Sequence, residues 1–249
     1  MKTISTFIFA HKQEIILEYK KIEKFKTLPF VKFVLVGKNN FDLVDGMTDV
    51  IVAQKFENNI EDYPKFTSFT GWYILWKNNL IETDYVNLFE YDINYKSNIN
   101  SLFNKIIKTD FDFIGYLPMN INEPCYLIDR RWTDEMIKSI KKNYSLDMDT
   151  FFEQFIKNNP NTNWSSTSNS TFKKEHFEKY MRWFENIFED LKNSEFPGHA
   201  HERSISFYYF LNNLKVAIFP GFIEHFQLNS HETSPLEANR FDKLFNNLL

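Results

Sequence analysis

The chain lacks most of the residues that announce a chemistry. Of its 249 residues only one is cysteine, Cys125. A single thiol excludes an internal disulfide and a thiolate metal cluster, and it points to a reducing compartment, so the cytoplasm is the expected location. Glycines number six, and none follows the first apolar segment, where Ala10-His11-Lys12 stands in place of a glycine-rich phosphate loop. Excess positive charge is missing too: 29 Lys and Arg against 33 Asp and Glu give a formal charge of −4. Without a basic field, nucleic acid is not an expected partner and any phosphate site must be local. No apolar run approaches the ~20 residues that cross a bilayer. The run at residues 4–10 has neither the length nor the cleavage site of a secretory signal. A transmembrane segment is therefore not expected.

What is present is an alternation of strand and helix patterns. Residues 3–9 are β-branched and aromatic, 14–24 carry apolar groups at helical spacing, and 31–37 form a strand pattern ending at a glycine. This βαβ opening predicts a mostly parallel sheet flanked by helices. Further strands are expected at 48–52, 85–89 and 111–116, and helices at 70–79 and 99–108. The second half reads as helices at 133–143, 148–158, 173–192 and 202–213, with strand-like material at 216–219 and 222–228. Residues 159–171 are a polar Asn/Ser/Thr stretch, read as a mobile lid or a solvated loop. No linker separates two units, so a single domain over 1–249 is expected.

In an open parallel sheet, ligands bind beyond the carboxyl ends of the strands. Glu90-Tyr91-Asp92 falls there. If the strand continues through it, the alternation of side chains puts Glu90 and Asp92 on one face, where they can share a hard cation such as Mn2+ or Mg2+ with phosphate oxygens. The other reading is a solvated turn. His11 and Lys12 follow the first strand at the same end and can touch a base or ribose, although any short loop can hold them. Lys77-Asn78 closes the helix opened by Thr70-Gly71, either as a C-terminal cap favoured by the helix dipole or as a nucleotide contact. Trp72, Tyr73 and Trp76 border one helix face and are expected to pack on the sheet.

Four of the six histidines come late: His199, His201, His225 and His231. His199 and His201 would face the same way on a strand and mimic half a zinc site, but the single cysteine and the absence of an HExxH pattern argue against structural zinc. His225 and His231 can return to the sheet edge as metal ligands or phosphate donors, or be ordinary packed or surface residues. Glu202-Arg203 follows the Pro197-Gly198 break at an expected helix start. A glutamate there either complements the helix dipole or serves as a general base, with Arg203 pairing a carboxylate or phosphate.

The run Thr70-Gly71-Trp72-Tyr73-Ile74-Leu75-Trp76-Lys77-Asn78, the strand 85–89, the aromatic helix around 180–191, and Gly198 with Glu202-Arg203 occur in the order found in bacterial capsular-polysaccharide glycosyltransferases of the DUF4422 type. Over roughly residues 65–215 the chain resembles these enzymes, and more broadly the GT-A nucleotide-diphospho-sugar transferases. Similar proteins occur in large DNA viruses with A+T-rich genomes. Where the capsular enzymes tend to carry His-Tyr-Arg-Arg, this chain has Glu90-Tyr91-Asp92-Ile93, closer to the acidic motif of metal-dependent GT-A enzymes.

The resemblance implies an α/β GT-A fold, with residues 1–120 binding the nucleotide sugar and a helical half, 121–249, shaping the acceptor site. It implies transfer of a sugar from a nucleotide-diphosphate donor to a glycan acceptor, with Mn2+ or Mg2+ as cofactor. Glu90, Asp92, His225 and His231 would be the metal ligands and Glu202 the base. His11, Lys12, Lys77, Asn78, Tyr91 and Arg203 would contact the donor. Two other readings stay open: a degenerate GT-A module that binds a glycan or partner without turnover, and a nucleotidyltransferase, which the missing glycine-rich loop disfavours.

Overall fold

The computed structural model describes residues 2–21, 30–91, 93–95, 99–116, 119–120, 130–159, 163–165, 167–220 and 222–225. The first strand, β1 (Ile4–Ala10), is buried along its whole length, as expected of a central strand covered on both faces. It feeds α1 (Gln13–Lys21) and returns as β2 (Val31–Leu35), which pairs parallel with β1, and then β3 (Val50–Val52), parallel to β2. After α2 (Phe69–Lys77), the chain enters β4 (Tyr85–Glu90) on the other side of β1. The strand order thus reverses at β1, the point where an open α/β sheet leaves a crevice at its carboxyl edge.

The remainder completes the sheet and covers it. In chain order come β5 (Ile93–Tyr95), α3 (Ile99–Thr109), β6 (Phe113–Gly115), β7 (Met119–Asn120), α4 (Arg130–Tyr144), α5 (Met148–Asn158), β8 (Asn163–Trp164), β9 (Ser170–Lys173), α6 (Lys174–Leu191), α7 (Pro197–Leu211), β10 (Val216–Ile218) and β11 (Ile223–His225). The main sheet runs β10-β6-β9-β4-β1-β2-β3, with β5–β11 and β7–β8 as separate antiparallel pairs. Among these pairings only β9 is antiparallel within the main sheet, against both β4 and β6.

The polar stretch at 159–171 therefore differs from its expectation as lid or solvated loop. Ser165, Ser168, Asn169, Ser170 and Thr171 are buried. Most of their polar groups have internal partners, which offsets the desolvation cost that ordinarily keeps such residues outside; Ser165 Oγ and Asn169 Nδ2 have none. The Tyr116 hydroxyl and Thr171 Oγ1 are 2.5 Å apart, Thr171 Oγ1 donates to Asn87 Oδ1 at 2.5 Å, and Asn87 Nδ2 donates to Thr6 Oγ1 at 3.0 Å. Ser165 N–H donates to the Tyr209 hydroxyl, and Ser206 Oγ donates to the Ser165 carbonyl. A second difference concerns α7, which starts at Pro197 rather than near residue 202. Proline at the first helical position loses no hydrogen bond and presets φ.

Two apolar clusters lie on the two faces of the sheet. One joins α1 to Ile4, Ile8 and Phe33; the other joins α2 and the second-half helices to Phe7, Phe9 and Phe172. As expected, Trp72 packs inward, edge-on to Phe172 and Tyr180. The approach of α2 to β1 depends on Gly71, where an added Cβ would fall 2.3 Å from Phe9 Cδ1. Gly71→Ala is expected to lose about 1–3 kcal/mol despite the better helix propensity of alanine, because the buried ring has to shift. Urea unfolding of the variant checks this; unchanged stability would mean that the helix and strand separate freely.

Candidate functional site

A cleft of about 710 Å3 opens at the carboxyl edge of the sheet. Phe9, Ala10 and His11 from the end of β1, Val36, Gly37, Lys38 and Asn39 after β2, and Glu90 and Tyr91 at the end of β4 form its base. The segment Glu61, Asp62, Pro64 and the residues Thr67, Ser68 and Thr70 at the start of α2 form its wall. The α2 N-terminus thus presents its positive dipole end to the cleft.

Local hydrogen bonds shape the floor. Gly37 has a φ of +93°, in the region that glycine occupies without a Cβ penalty. Asn39 Nδ2 donates to the His11 carbonyl at 2.5 Å and ties the loop after β2 to the loop after β1. The His11 and Tyr91 rings meet edge to face at 5.1 Å. Glu90 is held through its backbone, which donates to Asn169 Oδ1 at 2.8 Å, and Ser68 Oγ donates to Ser168 Oγ at 2.9 Å. The buried approach to β9 therefore pins both the end of β4 and the start of α2.

Glu61 is a buried carboxylate of the cleft wall. It is 5% exposed; its Oε2 accepts the Gly37 N–H at 2.6 Å, and its Oε1 has no hydrogen-bond partner. Burial pushes its pKa up to about 7, against the opposing pull of the Gly37 N–H and Lys38. Sequence reasoning missed it, because the acids of Asn59-Ile60-Glu61-Asp62 have the look of any polar turn. Lys38, beside it, is paired with Asp62.

The structure brings His11, Glu90 and Tyr91 together in this cleft. Lys12 adjoins His11 but does not line it. The strand ends at Glu90 and Tyr91 is a turn residue, so the alternation that was to align Glu90 with Asp92 stops between them. Asp92, His231 and the His225 side chain lie outside the described residues. The β5–β11 pairing nevertheless sets the His225 backbone opposite Ile93, next in sequence to Asp92. Among the described residues no three His, Cys, Asp or Glu side chains group as a metal site.

Lys77 and Asn78 are not brought to the cleft: they end the helix whose beginning lines it. Lys77 pairs with Glu185 and lies 4.2 Å from the Trp76 ring centroid. Asn78 donates to the Ile74 and Asn58 carbonyls as a cap. His199 and His201 share a helix, not a strand; His199 packs on Trp132 at 4.8 Å and His201 is buried among aromatic rings.

Glu202 and Arg203 lie in the second turn of α7. Arg203 Nη1 donates to Glu202 Oε2 at 2.7 Å, and its guanidinium sits 4.6 Å over the Trp132 ring. The first turn of α7 abuts the cleft wall, since a Cβ on Gly198 would lie 2.9 Å from the Lys65 carbonyl and 3.2 Å from Thr67 Oγ1. Glu202 is four residues on from Gly198, on the same side of the helix.

No protein-family model matches the chain, and no curated protein sequence does. The likeness to DUF4422-type enzymes therefore rests on the motif residues alone. Among solved structures, the chain is similar to the apo structure of WbbM, a bifunctional glycosyltransferase, with a TM-score of 0.59 at 16% sequence identity. The match covers 93% of this chain and 48% of that one, so the chain spans about half the length of WbbM. At this identity the likeness establishes the fold alone, a mixed α/β architecture with the mostly parallel sheet expected from the sequence. No helix of the described residues is long and apolar enough to cross a membrane.

Proposed function

We propose that this chain, with its glycosyltransferase fold, moves a sugar from a nucleotide-diphosphate donor to a hydroxyl of a glycan acceptor with the help of a divalent cation. The observation that carries this reading is the cleft at the strand-order reversal, with Glu90 closing β4 inside it and β11 setting the His225 backbone opposite Ile93. Phe9, Val36 and Pro64 offer apolar surface to a base or ribose, and the start of α2 offers its dipole to phosphate. Charge supports the cation. Glu61, Asp62 and Glu90 line the cleft against Lys38, a balance that disfavours a diphosphate until a divalent ion offsets it.

Mn2+ or Mg2+ would be held by Glu90 and Asp92, with His225 or His231 assisting, and would supply neutralisation of the leaving diphosphate. Glu202 would take the proton of the acceptor hydroxyl as it attacks the anomeric carbon, provided the reaction inverts configuration. Arg203 holds that carboxylate in position. The same contact favours a second reading, a binding module without turnover, because a carboxylate tied to a buried guanidinium is a weaker base.

Thermal unfolding with UDP-, GDP-, CMP- and dTDP-sugars, each with and without Mn2+, tests the proposal. One donor at about a hundred times its dissociation constant is expected to stabilise the protein by ~2.7 kcal/mol, only when the metal is present. Glu90→Ala is expected to abolish the metal-dependent part. No response to any donor would move the function to the binding module.

A further inference from the structure

The wall of the cleft holds a strained residue that packing alone does not explain. Thr67 has φ +52° and ψ −122°, and Ser68 follows at φ −62° and ψ −24°. These angles match the two central residues of a type II′ turn, whose first position belongs to glycine. A β-branched residue there is a genuine outlier, because its Cβ crowds the backbone. Sparsely populated backbone of this kind persists only where the surroundings hold it, and it gathers at ligand-binding sites.

The turn closes through its backbone. Thr67 N–H donates to the Pro64 carbonyl at 3.2 Å, and the Thr67 carbonyl accepts from Thr70 N–H at 3.2 Å. Glycine would keep both bonds and remove the strain. The threonine side chain is exposed and lines the cleft. What distinguishes Thr67 from the glycine that the turn calls for is therefore a hydroxyl presented to whatever the cleft binds.

Its position lies between the two halves of the transfer. A Cβ on Gly198 would fall 2.9 Å from the Lys65 carbonyl and 3.2 Å from Thr67 Oγ1, so the first turn of α7 rests directly on this turn. Glu202 follows on the same helix, about 6 Å further along its axis. In the other direction the cleft runs to Glu90 at the end of β4. A sugar that leaves a diphosphate near Glu90 for an acceptor near Glu202 passes Thr67. Resting on the transferase reading, we propose that Thr67 contacts the transferred sugar: its Oγ1 exchanges a hydrogen bond with a sugar hydroxyl, and the strained backbone is kept because it holds that group at the junction of the cleft and α7. A hydroxyl both donates and accepts, so it suits the hydroxyls of a sugar in either direction.

The test is calorimetric titration of the full chain, with Mn2+ present. The ligands are the nucleotide sugar that most stabilises the protein in the screen above and the same nucleotide without its sugar. Thr67→Val keeps the branched shape and the backbone strain but removes the hydroxyl. It is expected to weaken the nucleotide sugar about five- to tenfold and to leave the bare nucleotide within about twofold. Thr67→Ser is expected to bind both within about twofold of the unaltered chain. Thr67→Gly is expected to raise the Tm by about 2 °C or more as the turn relaxes, and yet to lose the same affinity as Thr67→Val. A residue that only shapes the turn would behave otherwise, since glycine would then bind both ligands as before. Unchanged nucleotide-sugar binding in Thr67→Val or Thr67→Gly, equal losses of both ligands, or a lower Tm in Thr67→Gly would overturn the sugar contact and leave the transferase reading standing. Binding of no donor in that screen would overturn both.

Discussion

Replacing Trp72 by alanine is expected to lower the stability by about 3–5 kcal/mol, a fall in Tm of about 6–20 °C for a chain of this size. The indole is 0% exposed. It stands edge-on to Phe172 of β9 at 5.7 Å and to Tyr180 of α6 at 6.0 Å, and touches Phe177. These partners come from β9 and α6, and His201 of α7 stands edge-on to the indole at 4.8 Å, so the space cannot close by moving one element alone, and cavity costs are largest where neighbours cannot relax. Calorimetric unfolding checks this. A loss under about 1 kcal/mol would show that the aromatic cluster repacks freely, contrary to the close-packed interior described above.

The second large effect is on acid stability. His201 is 1% exposed, with its ring 4.6 Å from Phe69, 4.8 Å from Trp72 and 5.3 Å from Phe184. Its Nε2 has no hydrogen-bond partner. Burial in this apolar cage favours the neutral ring and lowers its pKa from 6.5 to about 3. Below about pH 6.5 the unfolded chain takes up a proton that the native state refuses until about pH 3. Stability is therefore full above the unfolded pKa and falls with pH across that window, by roughly 4–5 kcal/mol at its lower end. His201→Phe removes the titration while keeping an aromatic ring in the cage. Urea unfolding at a series of pH values should show a slope one proton shallower between about pH 6 and pH 4; equal slopes in the two proteins would assign the acid loss to the surface carboxylates instead.

Much of the framework was legible because its signals are local. The unbroken burial of β1, the helical spacing of α1 and α6, and the aromatic face of α2 follow from neighbours a few residues apart. The end of β4 was placed correctly, and with it the ligand edge of the sheet. The polar segment before β9 was not legible, because Ser165, Ser168, Asn169 and Thr171 look solvated until Asn87, Tyr116, Tyr209 and Ser206 arrive as partners. Lys77 and Asn78 had two readings, helix cap and nucleotide contact. They belong to the most distinctive motif of the sequence, and the geometry matches the cap, directing them to Glu185 and to the carbonyls of Ile74 and Asn58.

By itself the sequence determined the alternation of strands and helices, the poverty of positive charge, and the placement of Glu90 at a strand end. Only the tertiary structure decided which strand ends meet in one cleft, that Glu61 lies buried there, and that the β5–β11 pair sets the backbone of His225 opposite Ile93. The division has a physical cause. Periodicity and composition are fixed by covalent neighbours, whereas burial, and with it a shifted pKa, depends on groups brought together from distant parts of the chain by packing.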